Sequence, residues 1–202
     1  MTDHATDRPE LVLAAERLAR ELGFPLTRQE AGPDRHSACL PGVGTFLAVL
    51  AAGVKSIAEL GTGTGIGTAW MVSAMPASGR LITVEIDEGQ AMVVRQLFAA
   101  DQRVEVITGE AATEVAGRGP FDLIFADCGI RDDASFGRLV DLLNLGGRIV
   151  MDDVTPVAAL ASGSPLQAQD RKRRFFASPR LVSTEVVLTD LENSLLVGTR
   201  VS

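Results

Sequence analysis

The stretch Ile57-Ala58-Glu59-Leu60-Gly61-Thr62-Gly63-Thr64-Gly65-Ile66-Gly67 sets the tightest limit on what this chain can become. The apolar run over residues 54–60 predicts a buried parallel strand. Glycines at alternate positions follow, and residues 68–75 predict a helix stopped by Pro76. A strand, a glycine turn and a helix let an α/β chain bring a ligand against its backbone. Glycine accepts positive φ and close approach, and the helix N-terminus offers free N–H groups with a partial positive charge. The spacing is not the G-x-G-x-x-G of a dinucleotide fingerprint, because Ile66 and Thr68 occupy the places where the last glycine would fall. It is E-x-G-x-G-x-G, with Glu59 on the strand itself. A carboxylate there suits a ligand carrying an ammonium group better than one carrying a pyrophosphate. A glycine-rich turn of another Rossmann-like protein is the alternative.

The rest of the chain alternates in the same manner. Residues 9–22 predict a helix with Leu11, Ala14, Ala15, Leu18 and Leu22 on one face, ended by Gly23 and Pro25. Residues 27–40 are polar and read as a loop or lid. His36 lies there, either a general base or an ordinary solvated histidine. Residues 41–52 predict a helix with Pro41 near its first turn. Strands are expected over 80–87, 103–108, 121–127 and 147–153, with helices over 88–99 and 133–143 and a short one opening after Gly109. The tail holds a segment over 167–177 and two apolar strands, 180–188 and 194–201. A single domain over residues 1–202 is expected, with 1–40 as an N-terminal helix and lid. The formal net charge of −7 does not favour a large nucleic-acid footprint, while leaving room for a local basic patch. Cys39 and Cys128 form no C-x-x-C pair, which suits a reducing compartment. Residues 1–8 are polar, without an apolar signal segment, and no run is long enough to span a bilayer. A cytoplasmic protein without a membrane partner is expected.

Acids end several of the predicted strands. In nucleotide-binding α/β folds an acid ending the second strand accepts hydrogen bonds from ribose hydroxyls, which singles out Glu85. Asp87 is placed to cap the following helix, and Glu110 reads equally as a cap. Asp127, Asp152 and Asp153 end the fourth and fifth strands and should meet at one sheet edge. Carboxylates brought together repel and raise one another's pKa. A divalent cation with oxygen ligands, most simply Mg²⁺, would relieve that; an arginine partner, or a capping role for Asp153, would also serve. Arg171-Lys172-Arg173-Arg174 before Phe175-Phe176 reads as a solvated helix face with two core phenylalanines, or as a contact for an anionic substrate. Trp70 is expected to pack.

The glycine motif resembles the first motif of class I S-adenosylmethionine-dependent methyltransferases. F-D-L-I-F-A-D at 121–127 with G-G-R-I-V-M-D-D-V at 146–154 is similar to the cation-dependent O-methyltransferases of the catechol and caffeoyl-CoA type, over roughly residues 42–201. The resemblance implies a Rossmann-like, doubly wound seven-stranded sheet in the order 3-2-1-4-5-7-6, strand 7 antiparallel, with helices on both faces. It implies methyl transfer from S-adenosylmethionine to an oxygen of a small hydroxylated, aromatic acceptor, and a homodimer is common among such relatives. The implied donor residues are Glu59, Gly61, Thr62, Gly63, Gly67, Glu85, Ile86, Glu110, Ala111 and Asp127, with Ile86 on the adenine face and Glu110-Ala111 beside it. Asp127 and Asp152 match the family's cation-binding aspartates, and Asp153 stands where it has asparagine. Glu192, within Asp190-Leu191-Glu192-Asn193, resembles an acid set against a substrate hydroxyl. The family's D-A-x-K motif carries a lysine that assists deprotonation. Here the text is Asp127-Cys128-Gly129-Ile130, so Ile130 takes the lysine's place. Arg131, one residue on, stays protonated and would stabilise an oxyanion rather than act as a base. With Asp127 and Arg131 as the implied catalytic pair, the reaction would rest on the cation and on proximity. An RNA-modifying methyltransferase using Arg171 to Arg174, a cation-independent small-molecule methyltransferase, and a non-catalytic protein that binds the donor remain as alternatives.

Overall fold

The computed structural model describes residues 8–31, 38–130, 132–154, 166–188 and 194–202. Strands β1 (Ser56–Leu60), β2 (Arg80–Glu85), β3 (Val104–Thr108), β4 (Phe121–Ala126), β5 (Leu143–Val154), β6 (Leu181–Val187) and β7 (Ser194–Arg200) form one sheet in the order β3-β2-β1-β4-β5-β7-β6. The first five run parallel, as in the pairings Leu60↔Val84, Leu60↔Ala126 and Ala126↔Met151. β7 is antiparallel to both neighbours, with Ile149↔Gly198 on one side and Thr184↔Val197 on the other. This is the expected order, including the reversed seventh strand.

Strand alternation divides the core between the two sheet faces. On one face Ala58, Leu60, Ile124, Ile149 and Met151 pack with Phe136 and Leu139 of α7 (Asp133–Asp141) and Phe175 of α8 (Leu166–Phe176). On the other, Ile57, Leu123, Phe125 and Val150 pack with Val43 and Leu47 of α3 (Pro41–Ala51) and Met71 of α4 (Ile66–Ala74). Outside α4, helix α1 (Glu10–Glu21) covers Trp70 and meets Val94 and Phe98 at α5 (Glu88–Leu97). A short α2 (Arg28–Ala31) and a short α6 (Ala111–Glu114) complete the described helices.

Several expectations shift. α1 buries Val12, Ala15, Glu16 and Ala19, while Leu22 is 40% exposed. The deepest stripe is Val12, Ala15 and Ala19, with Leu11 and Leu18 of the expected face packed beside it and partly buried. α4 begins at Ile66, two residues before the expected start, because Gly65 at φ 80 turns the chain directly into the helix. β5 begins at Leu143, which pairs with Phe121, so α7 ends sooner than expected. The basic run on α8 is not a uniformly solvated face. Lys172 is buried against Glu185 at 2.7 Å, Arg173 and Arg174 meet Asp133 at 2.9 and 2.8 Å, and Arg171 faces a cavity. Phe175 is core, but Phe176 is 53% exposed and so is not the second core phenylalanine that was expected. No helix among the described residues is long and apolar enough to cross a membrane.

Candidate active site

The chain winds outward from β1 in both directions, leaving a crevice beyond the strand C-termini where β1 and β4 lie side by side. A cavity of about 630 Å³ occupies it. The glycine loop forms one wall. The N–H groups of Gly61 and Thr62 donate to the Val84 carbonyl at 3.0 and 3.2 Å, tying the loop to the end of β2. Gly61 has φ 96, and a Cβ there would stand 3.0 Å from the Asp127 carbonyl oxygen, so the position demands glycine on both counts. α4 then begins without a side-chain cap, its first turn at the cavity edge.

Glu59 lies under this loop, 1% exposed. Its Oε2 accepts from the hydroxyls of Thr68 and Thr83, the latter at 2.6 Å. Burial pushes its pKa up to about 7, against the two hydroxyl donations, with the negative Glu85 adding to the rise. Glu85 closes the end of β2. One carboxylate oxygen accepts the Gly63 N–H at 2.8 Å and the other the Asp87 N–H at 3.0 Å. Asp87 caps α5 through Gln90, as expected. Glu110 does cap α6, accepting from the N–H and hydroxyl of Thr113 at 2.9 and 2.7 Å, and it also lines the cavity. Ile86 lines the same space with 73% of its surface exposed, an apolar face held open to solvent.

The other wall is acidic. Asp127 at the end of β4 and Asp152 and Asp153 on β5 all line the cavity. Withdrawal from bulk water raises the Asp127 pKa well above the carboxylate range, and the charges of Asp152 and Asp153 raise it further. The Asp152 Oδ1 accepts the Asp153 N–H at 2.7 Å. Asp153 is the one described non-glycine residue at positive φ, 55°, a conformation that costs energy and concentrates at functional sites. Among the described residues, no group of three or more His, Cys, Asp or Glu side chains stands as a set that could hold a metal ion.

Every donor and metal candidate from the sequence thus shares one cavity: Glu59, Gly61, Thr62, Gly63, Gly67, Glu85, Ile86, Glu110, Ala111, Asp127, Asp152 and Asp153. Arg131, His36 and Glu192 lie outside the described residues. Ile130 does not face the cavity; it is 8% exposed in the core beside Phe136 and Phe175. Sequence reasoning missed Phe24, Ala38, Cys39 and Cys128, which line the same space. Burial raises both thiols, to about 11 for Cys128 with Asp127 adding to the shift, so neither is an activated nucleophile. Of the basic run offered as an anionic-substrate contact, Arg171 alone lines the cavity, its Nη1 donating to the Asp153 carbonyl at 3.1 Å.

Known proteins point the same way. A methyltransferase-domain family model matches residues 58–154, which span the glycine loop to the end of β5. The chain is 35% identical over 128 residues to a catechol O-methyltransferase of Niastella koreensis, a match covering 58% of this chain and 53% of that one, so the chain spans about half the length of that relative. It is 31% identical over 158 residues to a Mycolicibacterium smegmatis protein assigned as an O-methyltransferase, covering 73% and 75% of the two chains. A crystal structure of a Klebsiella pneumoniae protein assigned as an O-methyltransferase superposes with a TM-score of 0.76 at 25% identity, covering 98% of this chain and 92% of that one. With the sheet order, the E-x-G-x-G-x-G loop and these relatives in hand, the chain belongs to the class I S-adenosylmethionine-dependent O-methyltransferase family.

Proposed function

We propose that this chain transfers the methyl group of S-adenosylmethionine to a hydroxyl oxygen of a small aromatic acceptor, assisted by a divalent cation. The observation that carries the reading is a single cavity of about 630 Å³ joining the glycine loop and Glu85 to the carboxylates at the ends of β4 and β5. Donor and acceptor would therefore share one enclosed space, and holding them in line is a large part of catalysis in a displacement of this kind. The glycine loop and the first turn of α4 would receive the amino-acid part of the donor. Glu85 would exchange its backbone N–H partners for ribose hydroxyls, Ile86 would cover the adenine, and Glu110 and Ala111 would border it. The carboxylates of Glu59, Glu85, Glu110, Asp127, Asp152 and Asp153 make the cavity a favourable place for a sulfonium and an ammonium. Phe24, Ala38 and Cys39 line the same cavity, which supports reading residues 1–40 as a helix and lid of the same domain, and excluding water there would strengthen the charge interactions within.

Asp127, Asp152 and Asp153 would hold the cation. Their chemistry, all oxygen and mutually repulsive, suits a hard divalent ion such as Mg²⁺, which would have to draw together carboxylates that do not stand as a ready-made set. When bound, the cation would lower the pKa of the acceptor hydroxyl and orient it. The decisive experiment is methyl transfer from labelled S-adenosylmethionine to catechol and hydroxycinnamoyl acceptors, with Mg²⁺ and then with a chelator. Methylated product that disappears with chelator, and in Asp152→Ala, supports the whole proposal. Donor binding without product from any acceptor would favour a non-catalytic binding protein.

A cation-independent transfer has one observation in its favour. The Asp152 Oδ1 accepts the Asp153 N–H, and among the described residues the carboxylates do not stand as a metal-holding set. Undiminished product in chelator would select it. The RNA-modifying alternative loses its main support, because Lys172, Arg173 and Arg174 are each paired with an acid of this chain.

A further inference from the structure

Helix α8 carries four consecutive basic residues, and three of them pair with acids of this chain. Lys172 is 7% exposed, and its Nζ donates to the Glu185 Oε1 at 2.7 Å. The same oxygen accepts the Ser194 hydroxyl at 2.6 Å, so α8, β6 and β7 meet at one buried polar point. Arg174 reaches Asp133 at 2.8 Å and the Ile130 carbonyl at 3.0 Å, and Arg173 also holds Asp133. These contacts fix the rotation of α8 about its axis, and Arg171, one turn before Arg174 and Phe175 on the same side of the helix, lines the cavity.

Arg171 is the one basic side chain among the described residues lining the cavity. It stands on the acidic wall, with its Nη1 3.1 Å from the Asp153 carbonyl and its charge acting on Cys128. An acceptor hydroxyl must lose its proton before its oxygen can displace the sulfonium. The resulting oxyanion would meet, beside any bound cation, a wall of carboxylates from Asp127, Asp152 and Asp153. Ile130 offers no help, being packed in the core. A guanidinium stays charged throughout and presents several donors in a fixed plane, which suits it to bind an oxyanion.

We propose that Arg171 is the oxyanion-binding residue of the acceptor end, selecting acceptors that present an ionised phenolic oxygen. This rests on the methyl-transfer reading above. The acceptor's proton goes to solvent, the phenolate forms the new O–C bond as the S–CH₃ bond breaks, and S-adenosylhomocysteine departs with the electron pair on sulfur. Arg171 holds the negative oxygen before the transfer and releases the neutral ether after it.

The test uses the full chain, saturated with S-adenosylhomocysteine and treated with chelator so that no divalent cation contributes. 4-Nitrocatechol, ionised at neutral pH, and catechol, neutral at that pH, are titrated into the wild type, Arg171→Gln and Arg171→Lys, with the phenolate absorption band of bound 4-nitrocatechol followed alongside. The expected result is a preference of the wild type for 4-nitrocatechol that falls about 10-fold or more in Arg171→Gln, with the band shifted, and that Arg171→Lys restores in part. Affinity for catechol and for S-adenosylhomocysteine should change less than about 2-fold, which a merely structural role would not produce. Equal losses for both acceptors, an unchanged preference, or no acceptor binding to the loaded protein would overturn the assignment. Failure of S-adenosylhomocysteine to bind, read separately by calorimetry, would overturn the donor-site reading beneath it.

Discussion

Glu59 is the residue in which fold and chemistry are most tightly joined. Its carboxyl is buried beneath the loop with a pKa of about 7, so the folded state holds a proton that the unfolded chain, near the ordinary 4.5, would release. A raised folded pKa gives stability that is complete at low pH and is lost as pH rises through the folded value. The wild type should therefore lose stability relative to Glu59→Gln between about pH 4.5 and 7, by up to about 3 kcal/mol, in urea melts taken across that range. An ammonium-bearing donor favours the charged carboxylate, so donor binding near pH 6.5 should release protons, seen as a buffer-dependent heat. Gly67 guards the same carboxylate. A Cβ at Gly67 would stand 2.5 Å from the Glu59 Oε1 and 3.3 Å from Phe125. Gly67→Ala should cost about 1–3 kcal/mol in thermal unfolding and weaken donor binding with it.

At the scale of elements, α8 is held by a buried ion pair as much as by Phe175. The Lys172 and Glu185 side chains are 9% and 13% exposed. Lys172→Ala removes one partner and leaves a buried carboxylate, which should cost about 3–5 kcal/mol by denaturant melts. Arg173→Ala, on the exposed side of the same helix, should leave stability unchanged, since exposed pairs contribute little. The contrast also separates what the chain's letters reveal from what they do not. Strand placement was legible because apolar runs bounded by glycine and acid mark buried parallel strands, and β1 to β4 lie where those runs fall. The division of labour within Arg171-Lys172-Arg173-Arg174 was not legible, because it depends on which acids of β6 and α7 come within reach after folding. α1 was legible in part: Leu11, Ala15 and Leu18 of its expected face do pack, while the deepest burial goes to Val12, Ala15 and Ala19 and Leu22 is left exposed.

At the scale of the whole molecule, the doubly wound sheet explains why residues from 59 to 171 meet in one place. Parallel strands all end at one edge, and the reversal of winding between β1 and β4 opens the crevice there. The candidate donor residues were legible because they sit at strand ends, where topology alone brings them together. The acceptor end was less so, being built from α8 and the segment before α3, whose approach is set by tertiary packing. This crevice should receive S-adenosylmethionine. Isothermal titration of S-adenosylmethionine into the metal-stripped full chain, with NAD⁺ as control, tests it most directly. Saturable binding of one donor per chain, lost by about 10-fold or more in Glu85→Ala and absent with NAD⁺, is the result this structure predicts. No binding of the donor, or equal binding after Glu85→Ala, would contradict it.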